Sequence, residues 1–371
     1  MITVVDAKDL SAFSASFQAL SNLSWKPKMK SVFIKPNVGA TSKTVNTDPE
    51  IVRGIIRYLR KNFGIEDITI GEGSVQTEYE STFYNFKYCS WDKLADEEDV
   101  TLIDLNKEKR TEISWHYGKI KIPKILFGKS YINVAKMKTH MQTLVSLCIK
   151  NQKGLLDSET RKTIHKLGLH EPIAKLSDII KPEICLVDGI VGIEGNAPGD
   201  LGKTKKVGLI VAGDKMVDVD RICCRIMGID PDQVEHIRLA SDAKGVLLSY
   251  EESKQLWSYL GAHQFKLPSN EFKMFNVHMR PENACTACMS SIGKLNKLAR
   301  RSLQGITYFI RNGILNRLDI VIGNPQELPN GHGKIIFYGN CTSHIAKQHP
   351  NYQWIEGCPP NSKRALGLLS K

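Results

Sequence analysis

The chain has 371 residues, 42% of them apolar and 24% charged, a composition typical of a globular protein with one or two domains. No stretch approaches the roughly 18 consecutive apolar residues that a membrane-spanning helix needs, and the N-terminus lacks a signal-peptide pattern. We therefore expect a cytoplasmic protein with no membrane span. The net charge of +12 favours a small anionic substrate or an acidic partner protein, while the even spread of basic residues disfavours nucleic acid.

Predicted strands and helices alternate over the first part of the chain. Residues 31–35 form a short apolar run typical of a buried strand, and Asp48 followed by Pro49 predicts the start of a helix that runs to Phe63. Further strands are predicted at 65–70, 100–104, 184–187 and 207–212, a hairpin near 119–122, and helices at 172–180 and 216–226. This alternation predicts an α/β fold, a mostly parallel sheet with helices on both faces, followed by a smaller cysteine-bearing α+β region.

The stretch 133–154 has an unusual density of lysine. Its apolar lead at 131–134 predicts a strand, the basic residues that follow predict a polar turn, and apolar residues at helical spacing from Met141 to Cys148 predict a helix. A helix N-terminus that faces such a turn favours anions. The sequence therefore predicts an anion-binding site here.

Polar residues stand at the ends of several predicted parallel strands, so we expect them to share one cleft at one edge of the sheet. His140 follows two lysines whose charge would lower its pKa, and a neutral imidazole could serve as a base, although a single histidine is often structural. The predicted catalytic residues are His140, Lys138 and Glu72. The residues predicted here to bind substrate are Lys35, Asn37, Lys136, Lys150, Asn151 and Asp188.

Residues 188–203 contain five glycines in sixteen positions, which predicts a long loop of permissive backbone. Such a loop could wrap a phosphate or carboxylate, act as a lid, or be merely structural. Its carboxylates could also bind Mg²⁺.

Four cysteines fall in the last quarter of the chain, at Cys285, Cys288, Cys341 and Cys358. A Cys-x-x-Cys pair with two distant cysteines, the last followed by proline, is a plausible ligand set for a [4Fe-4S] cluster. Structural zinc and a redox dithiol are the alternatives. Three nearby histidines could replace one ligand: His278, His332 and His344.

The regular alternation is lost from about residue 251 until 334–338, so the predicted domains are 1–250, the α/β core with the cleft, and 251–371, the metal-bearing region. A predicted helix at 294–317 carries a basic face. This face is either solvated or the docking surface of an acidic partner protein.

Several motifs together resemble the family called domain of unknown function 362. The motifs are F-I-K-P-N-V (33–38), T-D-P-E-I-V-R-G-I-I (47–56), I-G-E-G (70–73), N-V-A-K-M-K-T-H (133–140), I-K-N-Q-K-G (149–154), D-G-I-V-G-I-E-G-N-A-P-G (188–199) and D-x-x-x-D-V-D-R-I-C-C-R-I-M-G (214–228). The resemblance covers about residues 30–240 and adds Glu194 and Asn196 to the substrate-binding set. It also implies an iron-sulfur module, although the close cysteine runs of ferredoxins are missing, which leaves at most one cluster.

Three functions are compatible with these features. The first is an iron-sulfur enzyme, of redox or lyase type, acting on a small carboxylate or phosphate. The second is an electron-transfer or assembly protein that docks an acidic redox partner. The third is a zinc-stabilised racemase or isomerase that uses a lysine and histidine pair. We prefer the first because it accounts for both the basic cleft and the cysteines.

Overall fold

A computed structural model describes residues 1–74, 81–197, 202–241, 256, 258–268, 272–274, 277–282, 284, 286–313, 316–328 and 333–369. The chain divides into two compact units. The first, the α/β unit, comprises Met1–Glu194 and Thr204–Leu267, and the second, the C-terminal unit, comprises Gly195–Lys203 and Pro268–Lys371. The sequence predicts domains 1–250 and 251–371, with the boundary itself placed between about 245 and 280, and the first compact unit ends at Leu267.

The large sheet has eight strands in the order β1-β10-β9-β7-β2-β3-β4, with β8 paired to β7, and β5 and β6 form a separate hairpin. The strands are β1 (Ile2–Asp6), β2 (Ser31–Lys35), β3 (Asp67–Glu72), β4 (Thr101–Asp104), β5 (Arg110–Trp115), β6 (Gly118–Pro123), β7 (Ser130–His140), β8 (Leu144–Ser146), β9 (Ile184–Gly195) and β10 (Gly202–Gly213). The central pairs from β9 through β7, β2 and β3 to β4 are parallel, and β1 pairs antiparallel with β10. The predicted mostly parallel α/β sheet is confirmed.

Helices cover both faces of this sheet. They are α1 (Ala12–Leu23), α2 (Pro49–Phe63), α3 (Thr82–Tyr88), α4 (Trp91–Glu97), α5 (Cys148–Asn151), α6 (Ser158–Lys166), α7 (His170–Ile179), α8 (Met216–Ile226) and α9 (Glu235–Ser241). Helix α2 begins as predicted, with the Asp48 side chain accepting a hydrogen bond from the backbone of Glu50 at 3.0 Å. The adjacent residues Phe33 and Ile34 belong to two different apolar cores. Because successive strand residues point to opposite faces, a core lies on each side of the sheet.

Two local predictions are wrong. Strand β7 runs through Lys138 to His140, and Leu144 returns antiparallel in β8, so the helix predicted from Met141 does not form and only α5 is helical. The glycine-rich segment 188–195 is not a loop but part of β9.

The glycines of β9 allow close packing instead of loop flexibility. An added Cβ at Gly189 would lie 2.8 Å from the Leu209 carbonyl oxygen, and one at Gly192 would lie 2.7 Å from the Phe265 ring. Residues 198–201 of the predicted loop lie outside the described residues.

The C-terminal unit has a five-stranded sheet in the order β11-β12-β13-β14-β15, in which every pair except β11/β12 is parallel. Its elements are β11 (Phe272–Met274), β12 (Val277–Glu282), α10 (Thr286–Ala299), α11 (Leu303–Gly313), β13 (Leu318–Gly323), β14 (Lys334–Tyr338), α12 (Ser343–Gln348), β15 (Gln353–Ile355) and α13 (Ser362–Leu369). Strands and helices thus also alternate between 277 and 323, where no clear alternation was predicted. None of the helices within the described ranges is long and apolar enough to cross a membrane.

Candidate anion-binding site

The carboxyl ends of β2, β3, β7 and β9 lie at one edge of the sheet because these strands are parallel neighbours. This register brings Lys35, Glu72, Lys136 and Asp188 to the same region, as the strand-end argument predicted. Residues 136, 138 and 140 alternate along β7, a spacing that directs their side chains to one side of the strand.

A buried ion pair between Lys35 and Glu72 is the first element of the site. The Lys35 Nζ donates to Glu72 Oε2 at 2.9 Å and to Asn151 Oδ1 at 3.0 Å, with both charged side chains almost fully buried. Glu72 also accepts from the backbone N–H groups of Val38 at 3.0 Å and Gly73 at 2.8 Å. With both carboxylate oxygens engaged, Glu72 is suited to holding Lys35 and the Val38 backbone in place, and less suited to exchanging protons with a substrate.

Two asparagines connect this pair to the basic residues of β7. Asn37 Nδ2 donates to Asn151 Oδ1 at 3.0 Å, and its own Oδ1 accepts from Lys138 Nζ at 2.7 Å. Asn151 Nδ2 in turn donates to Asn133 Oδ1 at 2.8 Å. The asparagines therefore orient Lys138 without neutralising its charge.

A second buried ion pair joins Lys136 and Asp188, whose Nζ and Oδ2 are 2.8 Å apart. Asp188 Oδ2 also accepts from the backbone N–H of Asp48 at 3.0 Å. This pair ties β7 and β9 to the start of α2. Asp188 therefore neutralises Lys136, which leaves no acceptor on Oδ2 for another cation.

Lys138 and Lys150 are not neutralised by either of these two ion pairs. Among the described residues, Lys138 Nζ donates to two neutral oxygens, Asn37 Oδ1 and the Val45 carbonyl at 2.9 Å. In the part of the chain that the structure describes, no carboxylate forms an ion pair with either lysine. Burial and the neighbouring charges of Lys150 and Lys136 lower the pKa of Lys138 to about 7, and burial with the charge of Lys153 lowers the pKa of Lys150 well below its usual value.

His140 is buried beside these lysines, and burial together with the charges of Lys150 and Lys153 holds its pKa well below 6.5. Its Nδ1 accepts a hydrogen bond from the Gln142 backbone N–H at 3.1 Å. This contact assigns the proton of the neutral ring to Nε2, because a nitrogen that accepts cannot carry the proton. The neutral ring of His140 therefore carries its proton on Nε2, and its role as a base stays a prediction.

Sequence reasoning missed three further histidines near this cluster: His165, His170 and His236. His165 Nε2 contacts Lys153 Nζ, and burial first, then the nearby lysine charges, lowers the pKa of His165 to about 3. The rings of His170 and His236 are 5.7 Å apart, and His236 is fully buried with neither ring nitrogen hydrogen-bonded to a described residue. His170 and His236 meet because helices α7 and α9 pack together, and no local sequence motif indicates this contact.

The N-terminus of α5 is not open to an anion. Asp220 of α8 accepts from the backbone N–H of Cys148 at 2.8 Å and from that of Ile149 at 2.9 Å. The fully buried carboxyl of Asp220 thus occupies the N-terminus of α5, the short helix that begins at Cys148 and not at the predicted Met141. The signal was present in the D-V-D-R motif, but nothing local connects Asp220 to a helix 70 residues earlier.

Two predicted residues, Glu194 and Asn196, have no described side-chain hydrogen bond to this network. Glu194 Oε2 accepts from Lys205 Nζ and from the Lys266 backbone N–H, both at 3.1 Å. Asn196 belongs to the C-terminal unit. Neither is placed with Lys138 and Lys150 by a described contact.

The cysteines predicted to bind metal lie on three segments of the C-terminal unit. The Cys288 Sγ lies beside Gly339, where an added Cβ would be 3.2 Å away. The backbone N–H of Asn340 donates to the Gly357 carbonyl at 2.9 Å, so the loops that carry Cys341 and Cys358 meet.

The described cysteine side chains do not by themselves form a metal site. Cys341 and Cys358 are exposed, Cys288 is buried, and Cys285 lies outside the described residues. Within the described ranges, no three His, Cys, Asp or Glu side chains are arranged to hold a metal ion. His332 also lies outside them, and both ring nitrogens of His344 lie within 3.2 Å of backbone carbonyls.

The family model named Domain of unknown function (DUF362) matches residues 32–225, more than half of the chain. The chain belongs to this family. It is also similar to the thylakoid-associated protein sll1697 of Synechocystis sp. (strain ATCC 27184 / PCC 6803 / Kazusa), with 22% identity over 212 residues. That alignment covers 54% of this chain and 64% of the relative. The family match includes every strand end that contributes to the basic network, from β2 to β9.

Proposed function

We propose that this member of the DUF362 family is an enzyme of redox or lyase type that binds a small carboxylate or phosphate in the α/β unit and carries a [4Fe-4S] cluster in the C-terminal unit. The observation that carries the substrate class is that two neighbouring lysines, the buried Lys138 and the half-buried Lys150, have no carboxylate partner among the described residues. Burying an ammonium without a counter-ion is costly, and the cost is removed when a ligand supplies the negative charge.

The surrounding residues have distinct tasks in this proposal. Lys150 is the electrostatic clamp for an anionic oxygen, and the neutral His140 ring lies beside it. Lys138, with a pKa of about 7, exchanges a proton near neutral pH and takes the acid-base role first expected of His140. The pairs Lys35–Glu72 and Lys136–Asp188 position the strand ends that carry these groups.

Two observations support the cluster: four cysteines that can serve as thiolate ligands, and the contact between the loops that carry Cys341 and Cys358. Cys285, Cys288, Cys341 and Cys358 would hold it, and when bound it would supply an electron or a Lewis-acidic iron. A cytoplasmic location, where thiols stay reduced, would keep these donors available. Zinc at the same cysteines is the alternative, which would favour a racemase or isomerase that relies on Lys138.

Calorimetric titration with sulfate, phosphate and malonate tests the anion site. We expect Lys150→Gln to weaken binding by roughly ten- to a hundredfold, the usual cost of losing a charge-assisted hydrogen bond. Lys162→Gln is the matched control, since Lys162 is exposed on the nearby α6. Equal affinities in the two variants, or no binding by the wild type, would refute the anion site.

Anaerobic purification followed by metal analysis tests the cluster. We expect iron, acid-labile sulfide and a broad absorption near about 400 nm, all lost in Cys285→Ser and Cys358→Ser. Cys89→Ala, which alters a buried cysteine of the α/β unit, should retain them. A colourless zinc protein would replace the iron-sulfur proposal by the zinc alternative. A metal-free protein that still binds malonate would leave the anion site alone standing.

A further inference from the structure

Helix α11 exposes a stripe of large aliphatic side chains. Leu303 is 85% exposed, Ile306 40% and Ile310 47%. The spacing of three and four residues places all three on one side of the helix. The seven residue steps from Leu303 to Ile310 extend the stripe about 10 Å along the helix axis.

The opposite side of α11 is held by the unit itself. Gly305 is buried so closely against the end of α10 that an added Cβ would lie 2.6 Å from Ala299. Lys334 of β14 places its ammonium 5.1 Å from the centre of the Tyr308 ring. The helix is therefore fixed through its other face, and the aliphatic stripe stays outward.

The charged residues that flank the stripe along the chain are all basic. From Thr286 to Leu318 the chain has six lysines and arginines and no aspartate or glutamate. Arg300 and Arg301 immediately precede α11, Arg311 follows Ile310, and all three are exposed. Among the described residues, neither Arg301 nor Arg311 forms an ion pair.

We propose that α11 and its flanking arginines dock the protein on the surface of an anionic lipid bilayer. Helices that lie in a membrane interface combine an aliphatic face with basic residues, because the aliphatic groups enter the acyl boundary while the cations contact lipid phosphates. The stripe of leucine and isoleucine offers no polar group for specific recognition of an acidic protein, so a lipid surface fits it better. This docking needs no membrane-crossing helix and is independent of the anion site.

Vesicle flotation with the full chain tests the proposal. We expect binding to vesicles that contain about one third anionic lipid, little binding to neutral vesicles, and loss of binding as the salt concentration rises. Leu303→Ser combined with Ile310→Ser should weaken binding at least about tenfold. Arg300→Glu combined with Arg301→Glu should weaken it at least about twentyfold.

Matched controls separate docking from general surface effects. Leu167→Ser changes an aliphatic residue that is 42% exposed in the α/β unit, and Lys28→Glu with Lys30→Glu reverses two exposed charges there. Both controls should bind like the wild type. Failure to bind anionic vesicles, or equal binding by all variants, overturns the proposal. Dimerisation, or retention by an acidic peptide, that depends on Leu303 without vesicle binding would assign the stripe to a protein contact instead.

Discussion

In the proposed anion site, Lys138 would couple ligand binding to proton uptake. Its pKa of about 7 means that the empty site holds this amine partly neutral at neutral pH, since burial and the charges of Lys150 and Lys136 disfavour the ammonium. A bound anion reverses that preference, so binding should take up protons. Sulfate is the suitable probe because its own charge is constant near pH 7.

We predict that sulfate affinity falls as the pH rises above 7, approaching about tenfold per pH unit. Calorimetry in buffers of different ionisation enthalpy should show up to about half a proton taken up at pH 7. Lys138→Gln should bind more weakly and flatten this part of the profile, whereas the exposed-site variant Lys162→Gln should keep it. An unchanged profile in Lys138→Gln would assign the proton to another group.

Gly154 is required by the ion pair that it covers. An added Cβ would collide with the Glu72 carboxylate and lie 2.8 Å from the Lys35 Nζ. We predict that Gly154→Ala lowers the free energy of unfolding by about 2–3 kcal/mol, because neither buried charge can move away without losing its partners. Urea denaturation measures the change.

Gly293→Ala provides the comparison for Gly154. Gly293 lies within α10, and an added Cβ there meets no atom within 4 Å. Alanine favours a helix over glycine by about 0.5–1 kcal/mol, so this variant should be neutral or slightly stabilised. Similar effects of the two substitutions would contradict the packing argument.

Helix α5 depends on a carboxyl group from another helix. Asp220 satisfies two backbone N–H groups at the start of α5, yet burial raises its pKa to about 7. The folded protein therefore holds this proton between about pH 4 and pH 7, where the unfolded chain has released it. Stability from this group is present at low pH and is lost as the pH rises through 7.

We predict that Asp220→Asn removes this pH dependence and costs about 1–3 kcal/mol, because the amide can accept only one of the two hydrogen bonds. The free energy of unfolding measured from pH 4 to pH 8 checks both effects. Asp178→Asn, at an exposed position on α7, should change neither. An Asp220→Asn profile that still falls toward pH 7 would show that another group titrates.

The segment predicted as a polar turn became part of strand β7 because its polar side chains have partners on other elements. Lys136, Lys138 and His140 look like a polar turn in sequence, but they continue a strand because ion pairs and hydrogen bonds from β2, β9 and the segment around Val45 satisfy them. Such partners come from distant parts of the chain and leave no local pattern. The basic residues at every second position were the one available strand signal.

At the scale of the whole molecule, the apolar strands and the order in which they alternate with helices along the chain were predictable, because each is a short buried run bounded by polar residues. The meeting of polar residues at one edge of the sheet followed from that order, since parallel strands end at one edge. The charge balance at this edge was not predictable. Glu72 and Asp188 each neutralise one lysine, and only the three-dimensional pairing shows that Lys138 and Lys150 are left in excess.

The two compact units imply separate responses to their ligands. Sulfate stabilises only the fold that binds it, by about 2.7 kcal/mol at a hundredfold excess over Kd, and a bound metal does the same for the cysteine-bearing fold. We predict two unfolding transitions in calorimetry, one for each unit. Sulfate should raise the transition temperature of the α/β unit, and an iron or zinc chelator should lower the transition temperature of the C-terminal unit. Lys150→Gln should abolish the sulfate shift alone, and Cys358→Ser the chelator shift alone. A single transition that moves with both ligands would show that the units unfold together, because coupling between them would then exceed their separate stabilities.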